Sequence, residues 1–399
     1  MTTSPASIQE EMRRHNLGGL LRLLHVAGPA SRAELTARTG LNRSTVRALA
    51  TELADLGLAR ESSPVSSGGA GRPSIVVAPD THGVYVVAVT IGVEHLDAAR
   101  VGLGGTVLDR REAGAARTGY GVDETLRHVT RLVEALRRTA PPRARCVGIG
   151  VAVCGLVSAE RGVVRFAPNL GWVDVPLGEL LAAALRGSHP VAVGNDGDLG
   201  AMAEYVRGAG AGAADLVYLS GEVGLGGGII LGGRALAGAG GYAGEIGHMS
   251  INPRGRMCRC GRRGCWETEI GEDAVLRATG KAPGTTMAEI VAAHAAGDPV
   301  VRRGLNQVGR WLGMGVADLV NIFNPDVVIF GGDTRQLFEV TEPVVRAALH
   351  TALAAPNEHV RLTHPGLGAD SSLLGAAELA FAPLLRNPLA TQGAPAAAG

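Results

Sequence analysis

Apolar residues in the first eighty positions fall in short helical stripes separated by breakers. Leu17, Leu20, Leu21 and Leu24 predict a helix from about Arg14 to Ala27, ended by Gly28-Pro29. Ser31 with Glu34 three residues on has the form of a capping box, so a second short helix is expected through Arg38, stopped at Gly40. Asn42 or Arg43 opens a third, with Val46, Leu49, Leu53 and Leu56 as its stripe and Gly57 as its end. The stretches at 58–61 and 74–78, on either side of a Gly/Ser loop, predict the two strands of a wing. Beyond Pro79 strands and helices alternate: strands at 84–92, near Leu96–Val101 and at 146–153, with a helix over Glu124–Thr139. Later come a helix over Leu305–Phe323 and a turn, buried strand and glycine loop at 324–332. Such alternation predicts an α/β body whose ligands sit in crevices at strand ends.

Composition narrows this picture. A chain of 399 residues has room for two or three domains, and 46% hydrophobic residues with 3% aromatics predict a folded core of Ala, Val and Leu. The net charge of +1 means that affinity for nucleic acid must come from a local basic surface. Arg carries that charge, since Lys281 is the only lysine, a compositional bias without functional meaning. No signal-peptide pattern and no run of about eighteen apolar residues is present, which predicts a cytoplasmic protein that does not enter a membrane. Cys146 and Cys154 lie in apolar sequence and are expected to be reduced core thiols. From Asn387 the Ala/Pro/Gly-rich tail is expected to be disordered.

A short helix, a turn at Gly40 and a second helix opening with Asn42, Arg43, Ser44, Thr45 and Arg47 form a helix-turn-helix pattern, with side chains suited to base edges and phosphates. In the loop SSGGAGRP (66–73), Arg72 has the setting of an arm for a narrow, AT-rich minor groove. The rival readings are a helical bundle for protein contacts and a plain flexible linker.

The chemically most committed stretch is Gly244–Glu267. His248, Cys258, Cys260 and Cys265 fall within eighteen positions, with Gly261 and Gly264 allowing the chain to fold back. One imidazole and three thiolates make a closed tetrahedral zinc set, which argues for a structural metal with no open position for water.

Several segments together carry a resemblance. The strand and turn at 84–92, AlaProAsnLeuGlyTrp (167–172), AsnAspGlyAsp (195–198), GlyLeuGlyGlyGlyIleIle (224–230), GluIleGlyHis (245–248) and the C-x-C-G-x-x-G-C-x-E cluster follow the order and spacing of the ROK family of sugar kinases and sugar-responsive repressors. The resemblance runs from about Gly83 to Leu385. It implies an α/β, two-lobed actin-like (ribonuclease H-like) body behind an N-terminal winged helix-turn-helix domain. The expected division is a DNA-binding domain at 1–80, a first lobe at 81–195, a second lobe with the zinc motif at 196–386, and a tail at 387–399. It further implies that Asn169, Asn195, Asp196, Glu245, His248 and Glu267 bind a sugar. Asp196 matches the kinases' catalytic base, and His248 doubles as a zinc ligand.

The departures are equally informative. The family's kinases begin with Asp and a Gly-Gly-Thr loop for magnesium and ATP, whereas this chain has Thr90 at the Asp position and Val93 and Glu94 in the loop. Where the kinases carry Thr-Gly-Thr-Gly, it reads Ser220, Gly221, Glu222, Val223, Gly224. Added carboxylates and a bulky Val93 oppose a triphosphate. The expectation is a non-enzymatic sugar-responsive regulator, with a sugar or sugar phosphate as effector, a palindromic AT-rich operator as partner and a homodimer or homotetramer as assembly. The alternative is an ATP-dependent sugar kinase with an appended DNA-binding domain.

Overall fold

The computed structural model describes residues 5–63, 75–113, 121–158, 160–221, 223–353 and 358–390. The N-terminal unit holds α1 (Pro5–Ala27), β1 (Ala30–Ser31), α2 (Arg32–Thr39), α3 (Arg43–Asp55), β2 (Ala59–Ser62) and β3 (Val76–Pro79). Helix α1 starts well before its leucine stripe, where Glu10 pairs with Arg13 and Arg14 at three- and four-residue spacing. The Ser31 and Glu34 capping box forms as read, and Gly40 ends α2 at φ 69°. The three short strands make one antiparallel sheet in the order β1-β3-β2. The wing tip with Arg72 lies outside the described residues.

The first lobe is built on β4 (Val84–Ile91), β5 (Leu96–Gly102), β6 (Val107–Ala113), α4 (Val122–Arg138) and β7 (Arg145–Val153). A small antiparallel sheet of β8 (Leu156–Ser158), β9 (Val163–Ala167) and β10 (Trp172–Val175) follows, then α5 (Leu177–Ala184) and β11 (Val191–Asn195). Strand order in the main sheet is β11-β7-β4-β5-β6, with β11 and β7 parallel to β4 and the rest an antiparallel meander. Tyr85, Val87 and Val89 on one face pack with Val129, Val133 and Leu136 of α4.

The second lobe begins with α6 (Asp196–Arg207), β12 (Leu216–Gly221), β13 (Leu225–Leu231) and β14 (Arg234–Ala235). It continues through α7 (Glu267–Ile270), α8 (Glu272–Thr279), α9 (Met287–Ala295), α10 (Pro299–Phe323), β15 (Val327–Gly332), α11 (Asp333–Leu349) and β16 (Arg361–Thr363) to α12 (Ser371–Arg386). Its sheet runs β14-β13-β12-β15-β16. One face carries Val217, Leu219 and Phe330 against α10 and α11, with Phe330 and Phe338 stacked at 4.0 Å. The other face packs Tyr218 and Ile230 against Ala201 of α6.

Helices α6 and α12 lie back to back between the two sheets, α6 against β12 and β13, α12 against β4 and β7. The approach is close because small residues line it. A Cβ on Gly150 of β7 would stand 1.8 Å from the Ala376 carbonyl, and one on Gly375 would stand 2.0 Å from that of Leu199. The division at 196–386 thus differs from the packing at one point: α12 rests on the first lobe's sheet. Nor does the N-terminal unit have a core of its own. Leu17, Leu21, Leu24, Val46 and Leu53 belong to one cluster with Val86, Ala376 and Phe381. Leu389, within the expected disordered tail, packs on that cluster, and residues 391–399 lie outside the described residues.

Candidate ligand cleft, metal centre and nucleic-acid face

Strand β11 delivers Asn195 and Asp196 to the gap between the lobes. The Asn195 carbonyl caps α6 by accepting the Asp198 N–H at 2.9 Å, and its amide donates to the Gly155 carbonyl at 2.9 Å. Much of Asn195 is therefore spent on holding the helix start, which fixes Asp196 beside it. Asp196 accepts the Gly197 N–H at 2.9 Å. Asn169, Asn195, Asp196, Glu245, His248 and Glu267 all line this one cleft, with Gly224, Gly226 and Gly227 forming part of its wall. A side chain at Gly224 would displace the ligand-facing groups, since its Cβ would meet Glu267 Oε2 at 2.5 Å and Asn169 Nδ2 at 3.4 Å.

The cleft concentrates carboxylates. Desolvation holds Asp196 above the usual carboxylate range. Glu245 is pushed up to about 7 by desolvation and by the Asp196 and Glu267 charges. Its side chain stays 40% exposed, so water screens part of this rise. Asp198, a residue of the AsnAspGlyAsp stretch that the sequence reading left without a role, is pushed up to about 7 by desolvation, Glu245 and Asp196. Carboxylates and amides converging on one cleft suit vicinal hydroxyls, which donate to the former and exchange hydrogen bonds with the latter.

His248, Cys258, Cys260 and Cys265 bring one ligand atom each to within 4.8 Å of one another. Cys260 Sγ lies 3.6 Å from Cys265 Sγ, and Cys258 Sγ lies 3.7 Å from His248 Nδ1. Bond lengths of about 2.3 Å in a tetrahedral zinc–thiolate site place sulfurs roughly 3.8 Å apart, so the donor set fits such an ion. The thiols are free, and burial pushes those of Cys258 and Cys265 up. A bound cation would reverse that shift by deprotonating them. The other imidazole nitrogen, Nε2, is 4.0 Å from Glu245 Oε2, so His248 joins the cluster to the cleft. Glu267 does the same from the opposite side, accepting from Cys258 Sγ at 3.0 Å and from the Leu225 N–H at 3.4 Å.

Two residues of this loop were not singled out from the sequence. Arg259, between two of the cysteines, reaches from the second lobe to donate to Asn169 Oδ1 in the first. Trp266, fully buried, donates its indole N–H to the Trp311 carbonyl at 2.9 Å and so roots the loop in the lobe's core. The run of arginines between the cysteines signalled Arg259 only as charge.

A second cavity, of about 520 Å3, shares Val223, Gly224 and Leu225 with the cleft. Glu94, Glu272 and Asp333 line it, and no Lys or Arg does among the described residues. Burial raises Asp333 above the usual range, and Glu94 adds to it. Thr90 is buried at the end of β4 and Val93 lines the cleft wall; Glu222 lies outside the described residues.

On the N-terminal unit, Arg43, Ser44 and Arg47 stand exposed along α3, while Thr45 is half-buried. Asn42 Oδ1 caps α3, accepting from the Thr45 N–H at 2.8 Å and the Ser44 hydroxyl at 2.7 Å. Arg13 of α1 joins Arg43 and Arg47 in one shallow groove, ion-paired there to Glu52. Arg13 carries no periodic signal, since it lies ahead of the leucine stripe.

Residues 86–382 match the ROK family. The chain is 32% identical over 317 residues to the xylose repressor of Caldicellulosiruptor bescii, covering 75% of this chain and 78% of that one. In structure it is similar to a ROK family transcriptional regulator homologous to the Escherichia coli Mlc protein, with TM-score 0.78, 28% identity and coverage of 96% of this chain and 99% of the other. Its similarity to a Streptomyces griseus glucokinase, solved with glucose and AMPPNP, has TM-score 0.66 and 29% identity, and covers 74% of this chain and 98% of the kinase. The match to the regulator takes in almost the whole chain, whereas a whole kinase leaves a quarter of it unmatched. With the greater part of its length matching, this chain belongs to the ROK family.

Proposed function

We propose that this chain is a sugar-responsive DNA-binding transcriptional regulator, a repressor of carbohydrate or amino-sugar genes that a sugar or sugar phosphate releases from its operator. The observation that carries this reading is the union in one chain of a winged helix-turn-helix unit and a cleft lined by all six residues expected at a sugar site. Relatives named as xylose repressors support it. Residues 1–80 bind DNA, with Arg43, Ser44 and Thr45 toward the base edges of the major groove, Arg47 on a phosphate, Asn42 at the helix cap and Arg72 on the wing. The lobes at 81–195 and 196–386 hold the sugar between Asn169, Asn195, Asp196, Glu245, His248 and Glu267. Structural zinc on His248, Cys258, Cys260 and Cys265 fixes His248 and so orients Glu245 and Glu267 toward the sugar. The assembly is a cytoplasmic homodimer or homotetramer on a two-fold operator. No helix of the described residues is long and apolar enough to cross a membrane.

The chain acts as a sensor and not as a kinase on this reading. Thr90, Val93, Glu94 and Glu222 replace the magnesium and phosphate contacts, and the acidic lining of the second cavity opposes a triphosphate. Asp196 then binds a hydroxyl without accepting its proton for transfer. Gel shifts on the chain's own promoter region, with and without a panel of sugars in a metal-replete preparation, test the sensing role; mobility that no sugar changes would sink it. Asp196→Asn removes a charged acceptor, which costs about 1.5–3 kcal/mol. Calorimetry is therefore expected to show sugar affinity lowered roughly tenfold or more, while ATP-dependent phosphate transfer stays at background in both proteins. Sugar-dependent turnover by the wild-type chain that Asp196→Asn abolishes would establish the kinase instead. Arg47→Ala is expected to weaken binding to all DNA sequences alike and to lower the salt slope by about one; a base-specific loss would reassign it to readout. Arg72→Ala is expected to cost about 1–3 kcal/mol on AT-rich operators, and unchanged affinity would return the loop to plain linker.

A further inference from the structure

Three bodies meet at one buried polar point far from the cleft. His25, in the last turn of α1, is fully buried. Its Nδ1 accepts the Gly104 N–H at 2.9 Å, which leaves Nε2 to donate to Glu378 of α12, 3.1 Å from both carboxylate oxygens. Arg207, the last residue of α6, donates to the Gly104 carbonyl at 2.9 Å, to the His25 carbonyl at 3.4 Å and to Glu378, and its Nη2 stands 2.9 Å from His25 Nε2, so that two donors converge on the one carboxylate. Burial disfavours the charge on Glu378, yet the His25 hydrogen bond and the Arg207 charge outweigh it and hold the carboxyl below its usual range. The turn is shaped for this contact: Gly105 has φ 81°, and a Cβ there would meet the Arg207 guanidinium at 2.3 Å.

Each member belongs to a different body. Glu378 and Gly104 sit on the first lobe, Arg207 on the helix that packs on the second lobe's sheet, and His25 on the N-terminal unit. The two ends of α6 are therefore unlike. Its first residue, Asp196, lines the cleft; its last, Arg207, holds α1 about 16 Å away by helical rise. The seam between α6 and α12 also carries polar ties, with Ser371 Oγ donating to Glu204 at 2.7 Å and Ser372 Oγ to the Asp196 carbonyl at 2.9 Å, and buried charged hydrogen bonds have steep geometry. A rearrangement of α6 relative to α12 is therefore felt at this junction, and among these polar ties it is the one to which α1 is bonded directly.

We infer that His25, Arg207 and Glu378 are the positioning residues through which the state of the cleft reaches the DNA-binding unit. The inference rests on the sensing reading above. The junction makes one set of bonds in one lobe arrangement and gives α1 a second position when α6 moves, so that a ligand favouring either arrangement biases the reader.

The test uses the full-length, metal-replete chain, its own promoter DNA, and D-xylose and D-glucose as probes. The variant is the double substitution Arg207→Met with Glu378→Met, since replacing a buried ion pair by apolar residues of similar size is often neutral for stability. Sugar affinity is read by calorimetry and operator affinity by fluorescence anisotropy, with and without saturating sugar. The expected result is sugar affinity within twofold of wild type, unliganded operator affinity within about threefold, and a sugar-induced change in operator affinity that falls from the about 5–150-fold typical of coupled sites to less than twofold. A variant that keeps the wild-type response overturns the inference. So does one that loses sugar binding, or one that loses unliganded operator binding more than tenfold, since the junction would then act only as a tie. Should the double variant not fold cooperatively, Glu378→Gln, which keeps shape and one acceptor, is read by the same criteria. A wild-type chain that binds neither sugar in calorimetry removes the sensing reading for these probes and the inference with it. Wild-type binding and response with an unchanged variant response removes the inference alone.

Discussion

Cys260→Ser is expected to release the metal and abolish the response to sugar in the same protein, while binding to operator DNA without sugar persists. Zinc in a closed His/Cys site contributes on the order of 10 kcal/mol to folding of its loop, and a serine hydroxyl is a poor substitute for a thiolate. Backbone bonds fold the loop around residues 258–265, among them Cys258 N–H to the Arg262 carbonyl at 2.7 Å and Gly264 N–H to the Arg256 carbonyl at 2.8 Å, but its own side chains supply little apolar packing. It turns through Gly261 at φ 87° and Gly264 at φ 69°, and Cβ atoms at Gly264 would collide with the Asn252 carbonyl at 1.6 Å. Met257 and Arg259 are exposed, so no apolar core of the loop's own holds it without the ion. Two cleft contacts fail together when the loop relaxes, the His248 ring facing Glu245 and the Arg259 bond to Asn169 across the lobes. Metal analysis of the purified variant and sugar-dependent gel shifts check both halves. A variant without zinc that still responds normally would show that the ion does not brace the cleft. Chelation of the wild-type chain is expected to reproduce the loss, and added zinc to restore it.

Trp266→Ala is expected to cost about 3–5 kcal/mol of stability in the second lobe, the range for removing a fully buried indole. The site cannot collapse around the void. A Cβ at Gly315 of α10 would already stand 2.2 Å from the indole, so that helix is fitted to the ring, and the Trp311 carbonyl loses its donor at the same time. Because Trp266 stands between the metal ligand Cys265 and the cleft residue Glu267, the cost extends beyond stability. Glu267 opens the short helix α7, and its carboxylate must reach the Leu225 N–H and the cleft from a fixed start. Urea unfolding should show a lowered midpoint, and calorimetry should show weaker sugar binding by a variant that retains metal. An unchanged midpoint, or full sugar affinity, would mean that the loop is anchored by its ligands alone.

Local signals in the sequence were strong wherever a single residue type answers a single backbone need. Ser31 and Glu34 marked a helix start and Gly40 a stop, and both stand where they were read, while the cysteine spacing marked four side chains that the fold brings together in a cluster able to hold a metal. The cleft was legible because its residues sit in short motifs that carry chemistry. Packing partners were not. Helix α12 is apolar over most of its length, with Leu373, Leu374, Ala377 and Phe381 all buried, and nothing in that pattern says which of two sheets it will cover. Helices α11 and α12 also run through Pro343 and Pro383, positions where a sequence reading would break them. Asn42 reads equally as a base contact or as a helix cap, and only its partner at Thr45 separates the two. His25 and Arg207 carried no signal at all, since a lone His and a lone Arg at helix ends become a junction only when the chain places them together.

The continuous core beneath α1 bears on how such regulators can be recombined. Gly18 of α1 lies where a Cβ would stand 2.8 Å from the Leu385 carbonyl of α12, and Leu20 and Leu24 are buried in the cluster shared with Phe381 and Leu384. A foreign DNA reader joined to this body at residue 80 would meet a surface shaped for a different helix, and residues 1–80 expressed alone would expose a leucine face to water. On the DNA-binding reading proposed above, operator preference is therefore expected to change through the exposed side of α3 and the wing arginine, leaving α1 in place, so that new specificity can be grafted as a few surface residues and not as a transplanted domain.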